Sequence, residues 1–330
     1  MESIILIIPY FGKFRPDFKF WLKSVSENPT VDFLLFTDNK VESIPGNLKV
    51  ISTTFDALRH RIQSHFDFKI CLPQAYKLCD FRPCYGEVFA DFIKEYDFWG
   101  YTDMDMVYGD IRHFITEKLL VSYDRILSLG HFSLFRNTPR INSMYKNVTQ
   151  PRYQQVFTYP CGCAFDEYWG LGRYMDKNIH EHFYQAYPFD DIDCMKYPFY
   201  SQMRRHEDFG KRNFVYSYEG GKLFRNYEYQ GKLCKEETMY VHFQKRNMEI
   251  RTKAANNFMM VPNAYIPFDS NLSLEKLRSF AVSGKIYLHA YKLQWKRMLN
   301  KWKKIKASFC PGEFGLPKLP SDAIKYYSED

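Results

Sequence analysis

Asp103 and Asp105 stand two positions apart, just after the apolar run Tyr96-Asp97-Phe98-Trp99-Gly100-Tyr101-Thr102. A strand alternates its faces, so two such carboxylates at the end of an extended segment point the same way and can converge on one cation. The partner they suit is a hard divalent ion, Mn²⁺ or Mg²⁺, held through carboxylate oxygens and substrate phosphates. Bridging protein and diphosphate, that ion neutralises a departing nucleotide, which is the chemistry of sugar transfer from a nucleotide sugar. An Asp-x-Asp triplet is common, so its surroundings carry the reading.

Those surroundings are elements that must hold the pair in place. Ile4–Ile8 is a continuous apolar run ending at Pro9-Tyr10 and predicts a buried strand. Phe18–Val25 predicts a helix stopped near Asn28-Pro29; Val31–Thr37 and, after the Pro45-Gly46 turn, Leu48–Ser52 predict two more strands. Ala57–Phe66 and Tyr85–Tyr96 have helical spacing, and Phe98–Thr102 is the strand that delivers the aspartates. The order β-α-β-β-α-β predicts an α/β fold with a mostly parallel, Rossmann-like central sheet flanked by helices. Ligands collect beyond the carboxyl ends of such strands, and Pro9-Tyr10, Asp38 and Asp103 all fall there.

The second half is less regular. Ile126–Leu129, Val215–Tyr218 and Met239–Phe243 predict strands, with turns at Gly220-Gly221 and Gly231, and Arg136–Gln150 reads as a polar stretch. Tyr187–Arg205, mixing acids and aromatics, suits a lid or acceptor loop. Thr252–Asn271, low in charge and holding several Asn and Pro, predicts a linker. The expected division is a catalytic domain over residues 1–250 and an extension over 251–330. No internal repeat or low-complexity tract is present.

At 330 residues with 45% hydrophobic content, the chain can bury a large core, and the abundance of Phe and Tyr is read mainly as core. The run after Met1-Glu2-Ser3 lacks a basic flank and is too short for a signal peptide or span, so a cytoplasmic protein is expected. Eight scattered cysteines form no CxxC pair, and Cys161-Gly162-Cys163 is too tight for a zinc half-site, so reduced thiols are expected. The formal charge of +8 is matched by eight basic residues between Lys285 and Lys306, a stretch without Asp or Glu.

The combination Ala75-Tyr76-Lys77-Leu78-Cys79-Asp80-Phe81-Arg82, Tyr85-Gly86 and Tyr101–Asp105 resembles bacterial polysaccharide glycosyltransferases of the GT-A fold, of the kind found among capsule and O-antigen enzymes. Further shared segments are Ile8-Pro9-Tyr10-Phe11-Gly12, Phe36-Thr37-Asp38, Asp80-Phe81-Arg82-Pro83, Gly109-Asp110-Ile111-Arg112 and Val241-His242-Phe243-Gln244-Lys245-Arg246. The likeness covers about residues 1–250 and extends distantly to α-mannosyltransferases and glycogenin-like galactosyltransferases, although here Arg82 follows Asp80 by two positions rather than three. It implies a metal-dependent hexosyltransferase, retaining in stereochemistry, that takes a UDP-sugar and extends a glycan, lipid-linked in surface polysaccharide synthesis. Pro9, Tyr10 and Asp38 would line the base and ribose pocket, and Lys77 and Asp80 would touch donor phosphate or sugar. Asp103, Asp105 and His242 would hold Mn²⁺ or Mg²⁺, as imidazole does at manganese. Lys245 or Arg246 would grip the pyrophosphate.

Each assignment has a plainer rival. Asp103 can be a strand-end cap, Asp105 a solvated turn residue and His242 a satisfied histidine; Lys77 and Asp80 can be an i,i+3 ion pair worth roughly 0.2–0.5 kcal/mol. Asp166-Glu167, beside Tyr168 and Trp169 that could stack on a sugar, are candidate catalytic acids that take the acceptor's proton or steady the reacting centre; the rival is a helix-start cap. Asp190, Asp191 and Asp193 read as a solvated acidic loop, and His180 and His182 as unremarkable.

Leu288, Tyr291, Trp295, Met298, Trp302 and Ile305 recur at three- and four-residue steps, predicting an amphipathic basic helix over about 285–306. Such a helix suits an anionic membrane surface, here the inner face of the plasma membrane; docking on its own domain or binding nucleic acid are the rivals, and no nucleic-acid partner is expected. At the level of the whole chain, the alternatives are a sugar nucleotidyltransferase and a non-catalytic polyanion- or membrane-binding protein. The former is disfavoured because Pro9-Tyr10-Phe11-Gly12 offers no glycine-rich phosphate loop.

Overall fold

Ile4–Ile8 lies within strand β1 (Ile4–Tyr10) and is buried along its whole length. A computed structural model of the chain describes residues 1–179, 183–184, 186, 188–202, 212–282, 287–309 and 312–318. His180 and His182, and parts of the 187–205 segment expected as a lid, lie outside these. β1 pairs in parallel with β2 (Asp32–Thr37) on one side and β4 (Phe98–Thr102) on the other, and β3 (Leu48–Ser52) extends the sheet from β2. Beyond β4 the pairing turns antiparallel through β7 (Phe132–Arg136) to β6 (Arg125–Leu129), with β8 (Phe183–Tyr184) parallel at the edge. The protein is therefore α/β, with a mixed seven-stranded central sheet.

Residue parity splits β1 between two cores, as the period-two geometry of a strand requires. Ile5 and Ile7 join Leu34, Phe36, Trp99 and Tyr101 on one face; Ile4, Leu6 and Ile8 join Phe33, Leu35 and Phe98 on the other. Helix Phe18–Ser26 covers the second face with Trp21 and Val25 and sends Phe20 the other way, stacked on Tyr265 at 4.2 Å. Tyr85–Tyr96, expected as one helix, is two short turns, Tyr85–Val88 and Ala90–Ile93, interrupted at Phe89, whose backbone (φ −112°) leaves the helical region. The preceding segment, Ala75–Cys84, is a 3₁₀ helix. Arg136–Gln150 also holds helical turns, at Pro139–Asn142 and Met144–Asn147.

Phe20 packs on a second, six-stranded sheet in the order β12 (Lys232–Glu237), β11 (Lys222–Tyr229), β10 (Val215–Glu219), β15 (Asn257–Val261), β16 (Ala264–Pro267), β14 (Glu249–Ile250). The β10–β11 hairpin turns at Gly220-Gly221, both at positive φ, the backbone that a two-residue turn between twisted strands demands. Two expectations fail in this sheet. Thr252–Asn271 is not a linker: Pro262-Asn263, with Asn263 at φ 64°, is the turn between paired β15 and β16. Nor does a domain end at residue 250, because β15 and β16 sit between β10 and β14 in one sheet and bury Phe258, Met260 and Tyr265 in its core.

A third, three-stranded sheet joins β5 (Met106–Tyr108), β13 (Tyr240–His242) and β9 (Asp190–Asp191). The C-terminal helix runs Leu288–Ser308. No helix among the described residues is long and apolar enough to cross a membrane, and the seven described cysteines are free thiols.

Candidate functional site

The order β3-β2-β1-β4 places the topological switch between β1 and β4, where open α/β sheets bind their ligands. Tyr101 pairs with Ile7; two residues further on come Asp103 and Pro9. After β4 the chain passes through Asp103-Met104-Asp105 into β5, and β13 runs antiparallel beside it with His242 opposite Met106. β9 lies parallel to β13 with Asp191 opposite His242. Three distant stretches of chain thereby meet at one point.

His242 Nε2 lies 3.2 Å from Asp105 Oδ1 and 3.8 Å from Asp103 Oδ2, and the ligand atoms of all three residues fall within 4.8 Å of one another. On its other side His242 Nδ1 is 2.8 Å from Asp191 Oδ1, which also accepts from Gln244 Nε2 at 2.9 Å. A proton shared with Asp191 keeps Nε2 aimed at the two aspartates, the carboxylate–histidine arrangement that orients imidazole ligands of metals. Burial alone would depress His242, but Asp105 and then Asp191 hold it well above its ordinary value. Burial works the other way on Asp105, and His242 followed by Arg15 holds it below the usual carboxylate range. Two carboxylates and one imidazole are a donor set that fits a hard or borderline divalent cation such as Mn²⁺, with positions left for water and phosphate oxygens. His131 packs behind His242 at 4.5 Å between ring centres, and burial pushes it down to about 3, so it stands neutral.

Two arginines that the sequence reading gave no role flank the cluster. Arg15 reaches within 3.9 Å of Asp105 Oδ2. It is fixed by both oxygens of Asp17 at 3.0 Å and by the backbone carbonyls of Gln244 (3.3 Å) and Arg246 (2.7 Å). Arg82 donates to Asp103, to the Gly130 carbonyl and, at 2.9 Å, to Asp166 Oδ2. One guanidinium therefore ties the candidate metal-binding motif to Asp166, one of the candidate catalytic acids.

Asp166 is buried, its backbone carbonyl accepts from Tyr101 at 2.9 Å, and its Oδ1 has no hydrogen-bond partner among the described residues. Burial pushes Asp166 up to about 6; burial and then the neighbouring Asp166 push Glu167 up to about 8. Gly130 makes the room, since a Cβ there would lie 3.1 Å from both Asp166 Oδ2 and Glu167 Oε1. Tyr168 and Trp169 follow in a short helical turn; their side chains lie outside what the structure describes.

Pro9, Tyr10 and Asp38 sit together at the carboxyl edge of β1 and β2. Asp38 is exposed and accepts from the Gly12 N–H at 3.2 Å, while Asn39 Nδ2 donates to the Gly12 carbonyl at 2.7 Å. Lys245 is exposed, with Nζ 3.5 Å from the Tyr76 hydroxyl.

Three groups of residues depart from the expected placement. Lys77 and Asp80 are 1% and 0% exposed and paired at 2.6 Å. Lys77 also donates to the carbonyls of Val156 (3.0 Å) and Cys161 (2.7 Å), and Asp80 accepts from the N–H groups of Cys163 and Phe165. All three ammonium protons are used, so the pair staples the 161–165 loop and leaves nothing for a donor phosphate. Arg246, expected to grip pyrophosphate, is fully buried and donates to the carbonyls of Asp193 (2.7 Å), Lys196 and Tyr197 (2.8 Å). Asp190, Asp191 and Asp193 are buried rather than solvated: Asp190 faces Arg225 at 3.4 Å, Asp191 braces His242, and Asp193 accepts from the Met195 N–H.

What could have found the missed residues is modest. Arg82 lies inside a quoted motif, and Arg15 lies five positions beyond a strand end already marked as a ligand edge. Asp191 and His131 carry no local signal.

The chain belongs to a family of unknown function, DUF6625, whose model matches residues 6–269. That stretch contains every residue of the cluster just described. No curated protein matches the chain.

Proposed function

We propose that this protein is a divalent-cation-dependent glycosyltransferase on a GT-A-type fold, moving a sugar from a nucleoside-diphosphate donor, UDP being the favoured nucleotide, to a glycan hydroxyl in bacterial surface polysaccharide synthesis. The observation that carries the reading is the convergence of Asp103, Asp105 and His242 at the β1–β4 switch, with Asp191 fixing the imidazole. Manganese or magnesium held there would offset the charge that develops on the diphosphate leaving group.

The chain's own groups divide the remaining work. Pro9, Tyr10 and Asp38 form the edge on which base and ribose rest. Arg15, locked by Asp17 and two carbonyls, presents a fixed positive charge beside Asp105 toward the diphosphate, and exposed Lys245 adds a second at the rim; preorganised charges of this kind stabilise a leaving group without reorganisation. Arg82 holds Asp103 and Asp166 in one rigid frame. Glu167, more accessible than Asp166 and raised to about 8, hydrogen-bonds the acceptor hydroxyl and, in its ionised form, is the group suited to receive its proton, so turnover should rise as pH approaches that value.

Isothermal titration of UDP with and without Mn²⁺ tests the site. Affinity for UDP should require Mn²⁺, and Asp105→Ala should weaken it by about a hundredfold or more, in keeping with loss of a direct ligand. UDP binding that ignores Mn²⁺, or that survives Asp105→Ala unchanged, overturns the assignment. With a turned-over donor, proton NMR of the product's anomeric centre reads retention, the outcome implied by the resemblance.

A further inference from the structure

Among the described residues, the C-terminal helix Leu288–Ser308 is held to the body by one side. Leu293 is buried, Ala307 packs against the central core, and Tyr159 donates its hydroxyl to the Lys304 carbonyl at 3.5 Å. At about 100° per residue, Leu288, Tyr291, Trp295, Met298, Trp302 and Ile305 form a band roughly 100° wide on the side opposite Leu293. Every one of these six is exposed, Trp295 and Trp302 to 62% and 58%. Docking on the domain and presenting an apolar face to the outside are thus not alternatives in this helix; its two sides do one each.

What borders the band says what covers it. Lys292, Lys303 and Lys306 line one edge and Lys301 the other, all exposed, and no acidic residue lies between Lys285 and Lys306. A soluble polyanion would satisfy the lysines and leave two indoles in water. A second copy of the helix would bury the indoles but bring lysines against lysines. A bilayer with anionic headgroups takes both, with indole and aliphatic groups at the acyl boundary and ammonium groups among the phosphates.

We propose that the exposed face of helix Leu288–Ser308 docks the protein in the plane of an anionic phospholipid surface. The inference does not depend on glycosyl transfer. It does bear on the site: Tyr287, at the start of the helix, has its ring 5.5 Å from the Arg246 guanidinium, and the Arg246 carbonyl holds Arg15 beside Asp105. Lipid docking therefore occurs within three contacts of the candidate metal centre.

Full-length protein would be co-sedimented with phosphatidylcholine vesicles with and without phosphatidylglycerol, in low and high salt. Binding should appear with phosphatidylglycerol, fall with salt, and drop at least about tenfold in Trp295→Ser/Trp302→Ser; each lysine of the edge changed to Gln should cost about fivefold. Circular dichroism and Mn²⁺-dependent UDP binding of the variants show that the body is intact. Three results overturn the proposal: no binding to phosphatidylglycerol vesicles, binding indifferent to the two tryptophans, or a self-association in sedimentation velocity that the tryptophan variant abolishes while vesicle binding persists.

Discussion

Glu167 shows most directly how burial changes what a side chain can do. Its ordinary value is 4.5, and within the fold it lies at about 8, raised by burial and then by Asp166. Between those two values the folded chain holds a proton that the unfolded chain has lost. Stability therefore falls as pH rises through that window, since the state binding more protons is penalised by their removal. Glu167→Gln abolishes this dependence: relative to the parent, the variant should be equally stable below pH 4.5 and more stable above pH 8, by on the order of 1–3 kcal/mol. Urea midpoints at the two extremes check it, and an equal difference at both would mean that Glu167 does not titrate as described. Asp166 adds to the same trend over a lower range, up to about 6.

Among the elements, the 3₁₀ helix Ala75–Cys84 illustrates why spacing alone misassigned two charges. Its three-residue repeat sets Lys77 directly beside Asp80, and in isolation such a pair is a minor surface feature. Here the 161–165 loop closes over it and, with the Val156 carbonyl, supplies four backbone partners, two to each side chain. Lys77→Met leaves the Asp80 carboxylate buried without its counter-charge and should cost about 3–5 kcal/mol in urea unfolding. Mn²⁺-dependent UDP affinity of the folded variant should stay within about twofold, since the pair makes no donor contact; a large loss of affinity at unchanged stability would return Lys77 to the site. Arg82, in the same helix, does the opposite, turning outward to join Asp103 and Asp166.

Across the molecule, three sheets are locked by side chains that reach between them. Phe20 leaves the central sheet's covering helix to stack on Tyr265 and to pack on Phe258, so the second sheet covers it there. A chain ending at residue 250 loses β15 and β16 and exposes this contact. It should show no cooperative urea transition by far-ultraviolet circular dichroism, whereas a transition like that of the intact chain would restore a domain boundary at 250. The candidate metal site depends on the same assembly, because Asp105 just ahead of β5, Asp191 on β9 and His242 on β13 lie more than fifty residues apart in sequence and meet at one place.

Local pattern was sufficient for β1 to β4 and for the position of Asp103 and Asp105 at a strand end, because apolar runs, turn residues and parity are properties of neighbouring residues. It also sufficed for the C-terminal helix, whose stripe is visible in the spacing of its own side chains. The failures share one cause. Whether Lys77, Asp80, Arg246 or Asp191 meets water or the interior depends on which remote segment folds over it, and neighbouring residues do not record that. Pairing of β15 with β10, the closing of the 161–165 loop on Lys77, and the meeting of Arg15 with Asp105 were decided by tertiary packing, which converts charges of similar appearance into staples, braces or ligands according to what surrounds them.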